Sequence, residues 1–100
     1  MKCSVKSSRS ERIFEISGEF SAADEDLFFD VFRTVQSMTE PALAFDLGKC
    51  SKIDPSAMGM LLIACEEAGK RRIKRCIRNA PQKIKEQLLI AKFDDIYDFQ

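Results

Sequence analysis

Residues 42–70, ALAFDLGKCSKIDPSAMGMLLIACEEAGK, change character part-way along. ALAFDL (42–47) is an almost continuous apolar run, too brief for a helix and typical of a central strand covered by other structure. GKCSKI (48–53) reads as a polar loop. From Ser56 onward Ala57, Leu61, Ala64, Cys65 and Ala68 recur on one helical face, with Met58 and Leu62 beside it, until Gly69 stops the pattern. The joint between them is a helix start in its own right. Asp54 is placed to act as N-cap, Pro55 occupies the first helical position and Ser56 sits just inside. Gly59 on the first turn costs about 1 kcal/mol against alanine, so something is expected to pack closely there, the sheet or a visiting protein. A hydroxyl at such a helix start serves equally as plain helix chemistry or as a switch, because a phosphate on it meets free N–H groups and a favourable dipole.

The flanks extend the same alternation. KCSVKSSRSERIFEIS (2–17) reads as two strands around a polar turn at Ser8–Glu11, with Phe14 and Ile16 alternating against Arg12 and Glu15, and Gly18 as the end of the second strand. Ser21 then caps a helix, with Asp24 three positions on as a near capping box, shorter in reach than Glu or Gln, and Glu25 and Asp26 complementing the positive helix start. Leu27, Phe28, Val31, Phe32, Val35 and Met38 form its apolar stripe, and Pro41 ends it. Beyond the central segment, IKRCI (73–77) is a strand. APQKIKEQLLIA (80–91) is a helix opened by Pro81, with Ile84, Leu88 and Ala91 on one face. FDDIYDF (93–99) fits a last short strand or a turn of helix. The expected fold is therefore α/β, a single domain over residues 1–100, with a small mixed sheet in the order β-β-α-β-α-β-α and helices packed against it.

Composition narrows the chemistry. The 100 residues are 45% hydrophobic and 32% charged, and 16 basic residues balance 16 acidic ones, so no global field favours nucleic acid or an anionic membrane. Histidine is absent, which removes the commonest general base and nitrogen ligand. Cys3, Cys50, Cys65 and Cys76 lack the paired spacing of a zinc site and read as reduced thiols of a cytoplasmic protein. KRRIKRCIR (70–78) reads as a solvated basic edge, able to contact an acidic partner, and Asp94, Asp95 and Asp98 as charged surface. No phosphate-cradling glycine loop and no Ser–His arrangement occurs, so no catalytic residue, cofactor or metal ligand is assigned.

The central segment resembles the motif of the STAS domain family, found in anti-sigma factor antagonists and sulfate transporter tails: an apolar strand ending in Asp-Leu, a short loop, an Ile-Asp-Ser-Ser-Gly-Leu-Gly junction and an apolar helix. GEF (18–20) is similar to the family's Gly-Glu-Leu, and residues 77–99 are similar to its closing segment. The resemblance spans nearly the whole chain. It implies a cytoplasmic, non-enzymatic partner switch of the anti-sigma factor antagonist type, monomeric when free. A serine-protein kinase that is also an anti-sigma factor would bind the unphosphorylated domain and phosphorylate Ser56, and a serine/threonine phosphatase would reverse the mark. Asp54 would cap the helix and orient the junction, and Met58 would offer apolar contact to the partner. The chain departs from the motif at Pro55, which removes an alternative acceptor serine. It departs also at Ala57, whose methyl stands where a partner would approach, and at Ser21, where the family often carries an aspartate used in kinase recognition. A constitutive protein-docking module and a small-ligand sensor are the alternative readings.

Overall fold

The computed structural model describes all of residues 1–100. Its strands are β1 (Lys2–Ser7), β2 (Arg12–Phe20), β3 (Ala42–Ile53), β4 (Lys74–Arg78) and β5 (Asp98–Phe99), and its helices α1 (Glu25–Ser37), α2 (Pro55–Lys70) and α3 (Gln82–Ile90). Single 3-10 turns at Ala22–Asp24 and Phe93–Asp95 precede α1 and β5. The sheet runs in the order β1-β2-β3-β4-β5, antiparallel between β1 and β2 and parallel thereafter. This is the mixed α/β sheet that the alternating pattern predicts.

Three successive crossovers all step one strand in the same direction, so right-handed connections carry all three helices to one face of the sheet. Burial agrees. Phe14, Phe45 and Ile77 stand opposite one another in register and are completely buried. Phe14 stacks on Phe45 at 5.4 Å, and Phe28 of α1 closes over Phe45 at 6.1 Å. They belong to one continuous apolar cluster that takes side chains from α1, α2 and α3. The alternate row, Ile13, Ala44 and Cys76, points to the other face and contributes nothing to that cluster. That face is roofed by long polar side chains instead: Arg78 forks onto both carboxylate oxygens of Glu11 (3.1 and 3.2 Å) and lies over the Cys76 sulfur at 3.6 Å.

Several expectations are corrected. GKCSKI is not a loop: β3 continues to Ile53, and Lys49–Ile53 pair with Ser17–Phe20 of β2 across two register irregularities. Gly18 does not end β2, which runs on to Phe20; it takes φ +81° within the strand, a value that favours glycine. Leu27 is exposed at the edge of the α1 stripe, and Ala91 lies exposed just past α3. FDDIYDF is both alternatives in turn, a 3-10 turn and then a two-residue strand. It is fastened by buried Phe93 and Tyr97, whose hydroxyl donates to the Leu61 carbonyl at 2.5 Å. The basic stretch is only partly a solvated edge. Arg71 donates to the Val35 and Met38 carbonyls, Arg75 to those of Cys65 and Ile96, and Arg78 to Glu11, so half of the six cations are internal ties. Asp94, Asp95 and Asp98 are exposed.

Glu40 is the one buried charged residue. It accepts from the Ser7 hydroxyl and from Arg12 Nε (2.9 Å), and the Ser7 bond leads the causes that pull its pKa down to about 2. The four cysteines are unpaired, and burial raises the pKa of each thiol.

Candidate functional site

The junction between β3 and α2 is organised by one carboxylate. Buried Ile53 ends the strand, and Asp54 keeps extended angles (φ −115°, ψ 173°) as the N-cap of α2. Asp54 Oδ1 accepts from the Ala57 N–H at 2.8 Å, the ordinary capping bond, while Oδ2 accepts from the Ala22 N–H at 3.1 Å. Its own N–H donates to the Phe20 carbonyl at 3.3 Å. Asp54 therefore caps α2 and also fastens the β2–α1 connection against the helix start. Ser21 sits in that connection with the expected capping box. Its Oγ accepts from the Ala23 N–H at 3.3 Å and its N–H donates to Asp24 Oδ2 at 2.9 Å, although the turn so capped is the 3-10 turn leading into α1. Asp24 Oδ1 also accepts from the amino group of Met1 at 2.8 Å, and this bond first among several causes lowers its pKa.

With the cap supplied by Asp54, Ser56 has no structural task. It is exposed, and neither its hydroxyl nor its N–H takes part in a hydrogen bond of the junction. Pro55, which has no N–H to satisfy, occupies the first helical position as expected. Ala57 is completely buried, so its methyl faces the core and not an approaching partner. Met58 is half-buried and leans against the edge of the core. Gly59 narrows its expectation: a Cβ built there meets nothing within 4 Å, so the sheet does not pack on it, which leaves the visiting protein.

The open space belongs to a groove of about 540 Å³ between the two helices. Glu25, Phe28, Phe29 and Phe32 line it from α1, and Ser56, Gly59, Met60 and Ile63 line it from α2. Phe29 and Ile63 are each 53% exposed. Phe29 stacks on Phe32 at 6.4 Å and carries the Arg33 guanidinium 4.9 Å from its ring centre. Sequence reading singled out neither Phe29 nor Ile63; the available signal was an aromatic set off the core stripe among Asp26, Asp30 and Arg33. A second cavity of about 420 Å³ lies across the middle of β1, β2 and β3, with Asn79 beyond β4 at its rim. Its two carboxylates are engaged: Asp46 accepts from the Gly48 N–H (2.9 Å) and the Asn79 amide (3.1 Å), and Glu15 pairs with Lys6 (3.2 Å). No group of cysteine and carboxylate side chains is gathered to hold a metal ion, and no helix is long and apolar enough to cross a membrane.

Comparisons with known proteins agree with this geometry. A family model described as the STAS domain matches residues 3–100. A STAS-domain containing protein of Pseudomonas aeruginosa is 26% identical over 87 residues, which cover 87% of this chain and 85% of that protein. Among solved structures, the anti-sigma factor antagonist SpoIIAA in its unphosphorylated form superposes with a TM-score of 0.83 at 12% identity, covering 99% of this chain and 88% of that one. An anti-sigma factor antagonist from Mycobacterium paratuberculosis gives 0.86 at 16% identity, covering 98% and 83%. The STAS domain of a SulP transporter from Vibrio cholerae gives 0.76 at 17%, covering 92% and 73%. At these identities the superpositions establish a shared fold.

Proposed function

The chain belongs to the STAS domain family, and from that premise we propose that it is a cytoplasmic, non-enzymatic regulator of the anti-sigma factor antagonist type, switched by reversible phosphorylation of Ser56. In its unphosphorylated form it binds a serine-protein kinase that doubles as an anti-sigma factor; a serine/threonine phosphatase restores that form. The observation that carries the reading is the idle Ser56 hydroxyl. Asp54 performs the capping, so Ser56 is exposed at a helix N-terminus with nothing in the fold depending on it. A phosphate there is tolerated, because the N–H groups and dipole of the first turn favour negative charge. SpoIIAA, whose fold this chain shares, has been solved in unphosphorylated and phosphorylated forms.

Magnitudes decide what the phosphate does to a docked partner. Burying an ionised group beneath an interface costs several kcal/mol, whereas a new exposed ion pair returns about 1 kcal/mol at most. The phosphate therefore releases the partner. Incubation with the cognate kinase and ATP, followed by mass spectrometry, is expected to place one phosphate on Ser56 and none on Ser56→Ala protein. Phosphate on another residue in both proteins overturns the assignment. Partner affinity unchanged by Ser56→Asp would favour a constitutive docking module.

A further inference from the structure

In a regular strand, residues three apart point to opposite faces of the sheet. Asp46 and Lys49 nevertheless line the same cavity on the open side. The cause is one extra residue in β3: Asp46 pairs with Glu15 and Lys49 with Ser17, so three steps along β3 match two along β2. Bulges of this kind re-aim side chains and are frequent beside functional sites. Gly48 sits inside the bulge with little room for a side chain, since a Cβ there would stand 3.1 Å from Asp46 Oδ1 and 3.3 Å from the Asn79 Cβ. Asn79 holds left-handed angles (φ 60°) and donates to Asp46 Oδ2 at 3.1 Å, which with the Gly48 N–H fixes the Asp46 carboxylate in place.

The charges of the cavity do not cancel in place. Glu15 is neutralised by Lys6. Asp46 accepts only from two neutral N–H groups, so its charge has no cation against it. Lys49 is exposed and belongs to none of the ion pairs of the fold. The bulge thus sets one unspent charge of each sign on one face, unpaired with each other. Their cross-strand neighbours extend the division, Glu15 beside Asp46 and the Ser17 hydroxyl beside Lys49. We infer that the cavity is a binding site for a small zwitterion of the α-amino acid type, its ammonium on Asp46 and its carboxylate on Lys49 and Ser17. Its volume of about 420 Å³ lies within the range of small-molecule sites, and charge-assisted hydrogen bonds at both ends supply the recognition. A plain anion is a poor occupant because two carboxylates line the cavity, and a plain cation because Lys49 does.

The inference goes beyond the proposed switch, since Ser56 lies on the helical side of the sheet and the cavity on the other. The isotope-labelled full chain is titrated by NMR with each of the common amino acids. The best of them is then compared with its N-acetyl form, which keeps only the carboxylate, and its amide, which keeps only the ammonium. Shifts centred on Ser17, Asp46, Gly48 and Lys49 are expected, with each blocked form weaker by roughly tenfold or more. Lys49→Gln should remove the preference for the parent over its amide, and Asp46→Asn the preference for the parent over its N-acetyl form. Loss of a single discrimination is a readout that a merely structural role would not give. Lys49 is exposed and bonded to nothing, so Lys49→Gln carries the test alone if Asp46→Asn disturbs the spectrum. No shift with any amino acid, shifts centred elsewhere, equal binding of parent and blocked forms, or unchanged discrimination in Lys49→Gln overturns the inference. Inorganic phosphate matching the best amino acid also overturns it, by assigning the cavity to a simple anion.

Discussion

On the open side of the sheet, several polar side chains are engaged within the chain. Arg78 holds Glu11 and Gln100, Lys6 holds Glu15, and Asp46 holds Gly48 and Asn79. In the groove between α1 and α2 the reverse holds: Phe29 and Ile63 lie half in water, the Ser56 hydroxyl is idle, and Gly59 borders empty space. Neither surface is covered by another layer of the protein. The difference lies in whether each has satisfied its own chemistry. Exposed sheet roofed by polar side chains and their pairs offers a partner little open apolar area, whereas apolar area left open in water favours an interaction surface.

The sharpest way to break this comparison lies in two adjacent residues of β3. Phe45 enters the helical side, where it is completely buried against Phe14 and Phe28, and Phe45→Ala is expected to cost about 3–5 kcal/mol in urea unfolding. Asp46 faces the open side and makes two hydrogen bonds there, so Asp46→Ala should cost about 1 kcal/mol. Equal costs would mean that the open face carries as much of the fold as the covered one. Next in size is Asp54, whose two oxygens hold N–H groups from two different connections. Asp54→Ala is expected to cost about 2 kcal/mol, the upper end for a cap, and Ser56→Ala less than about 0.5 kcal/mol. A large loss from Ser56→Ala would show that its hydroxyl is structural after all.

A smaller effect follows from Glu40, which is buried beside Arg12 and Ser7 away from the groove. Its pKa falls from 4.5 in the ordinary carboxylate to about 2 in the folded chain. A depressed carboxylate stabilises the fold fully above the higher value and progressively less as pH falls towards the lower one. The melting temperature should therefore decline between about pH 4.5 and about pH 2, and Glu40→Gln should flatten that limb. Binding of a partner in the groove should be indifferent to Glu40→Gln at neutral pH.

Much of this architecture was legible because its signals are local. ALAFDL and the spacing of Ala57, Leu61, Ala64 and Ala68 declare a covered strand and a buried helix without reference to anything else. GKCSKI was not, because its polar residues extend past the core to pair with β2 alone, and only Cys50 and Ile53 turn inward. FDDIYDF was undecided for a related reason: its shape is imposed by Tyr97 reaching Leu61, 36 residues away. The residues of the proposed switch divide in the same manner. The cap at Asp54 and the serine inside it lie within one turn and were readable. The bond from Asp54 to Ala22 spans 32 residues, and the groove needs the flanks of two helices brought side by side. Gly59 stands out in the sequence for its cost, but the direction of its open side exists only in the fold.

Gly59 also supplies the smallest and most diagnostic test. In a helix interior, replacing glycine by alanine gains about 0.5–1 kcal/mol if the new methyl meets no obstacle, and here it meets none. Gly59→Ala should therefore raise the unfolding midpoint slightly with an unchanged denaturant slope. The same methyl narrows the groove beside Ser56, where the proposed partner would dock, so affinity should fall as stability rises. A destabilised variant would mean that some part of this chain needs the space, and the groove would then be a by-product of packing. Opposed changes in stability and affinity would identify a position where the fold gives up helix stability to keep the surface open.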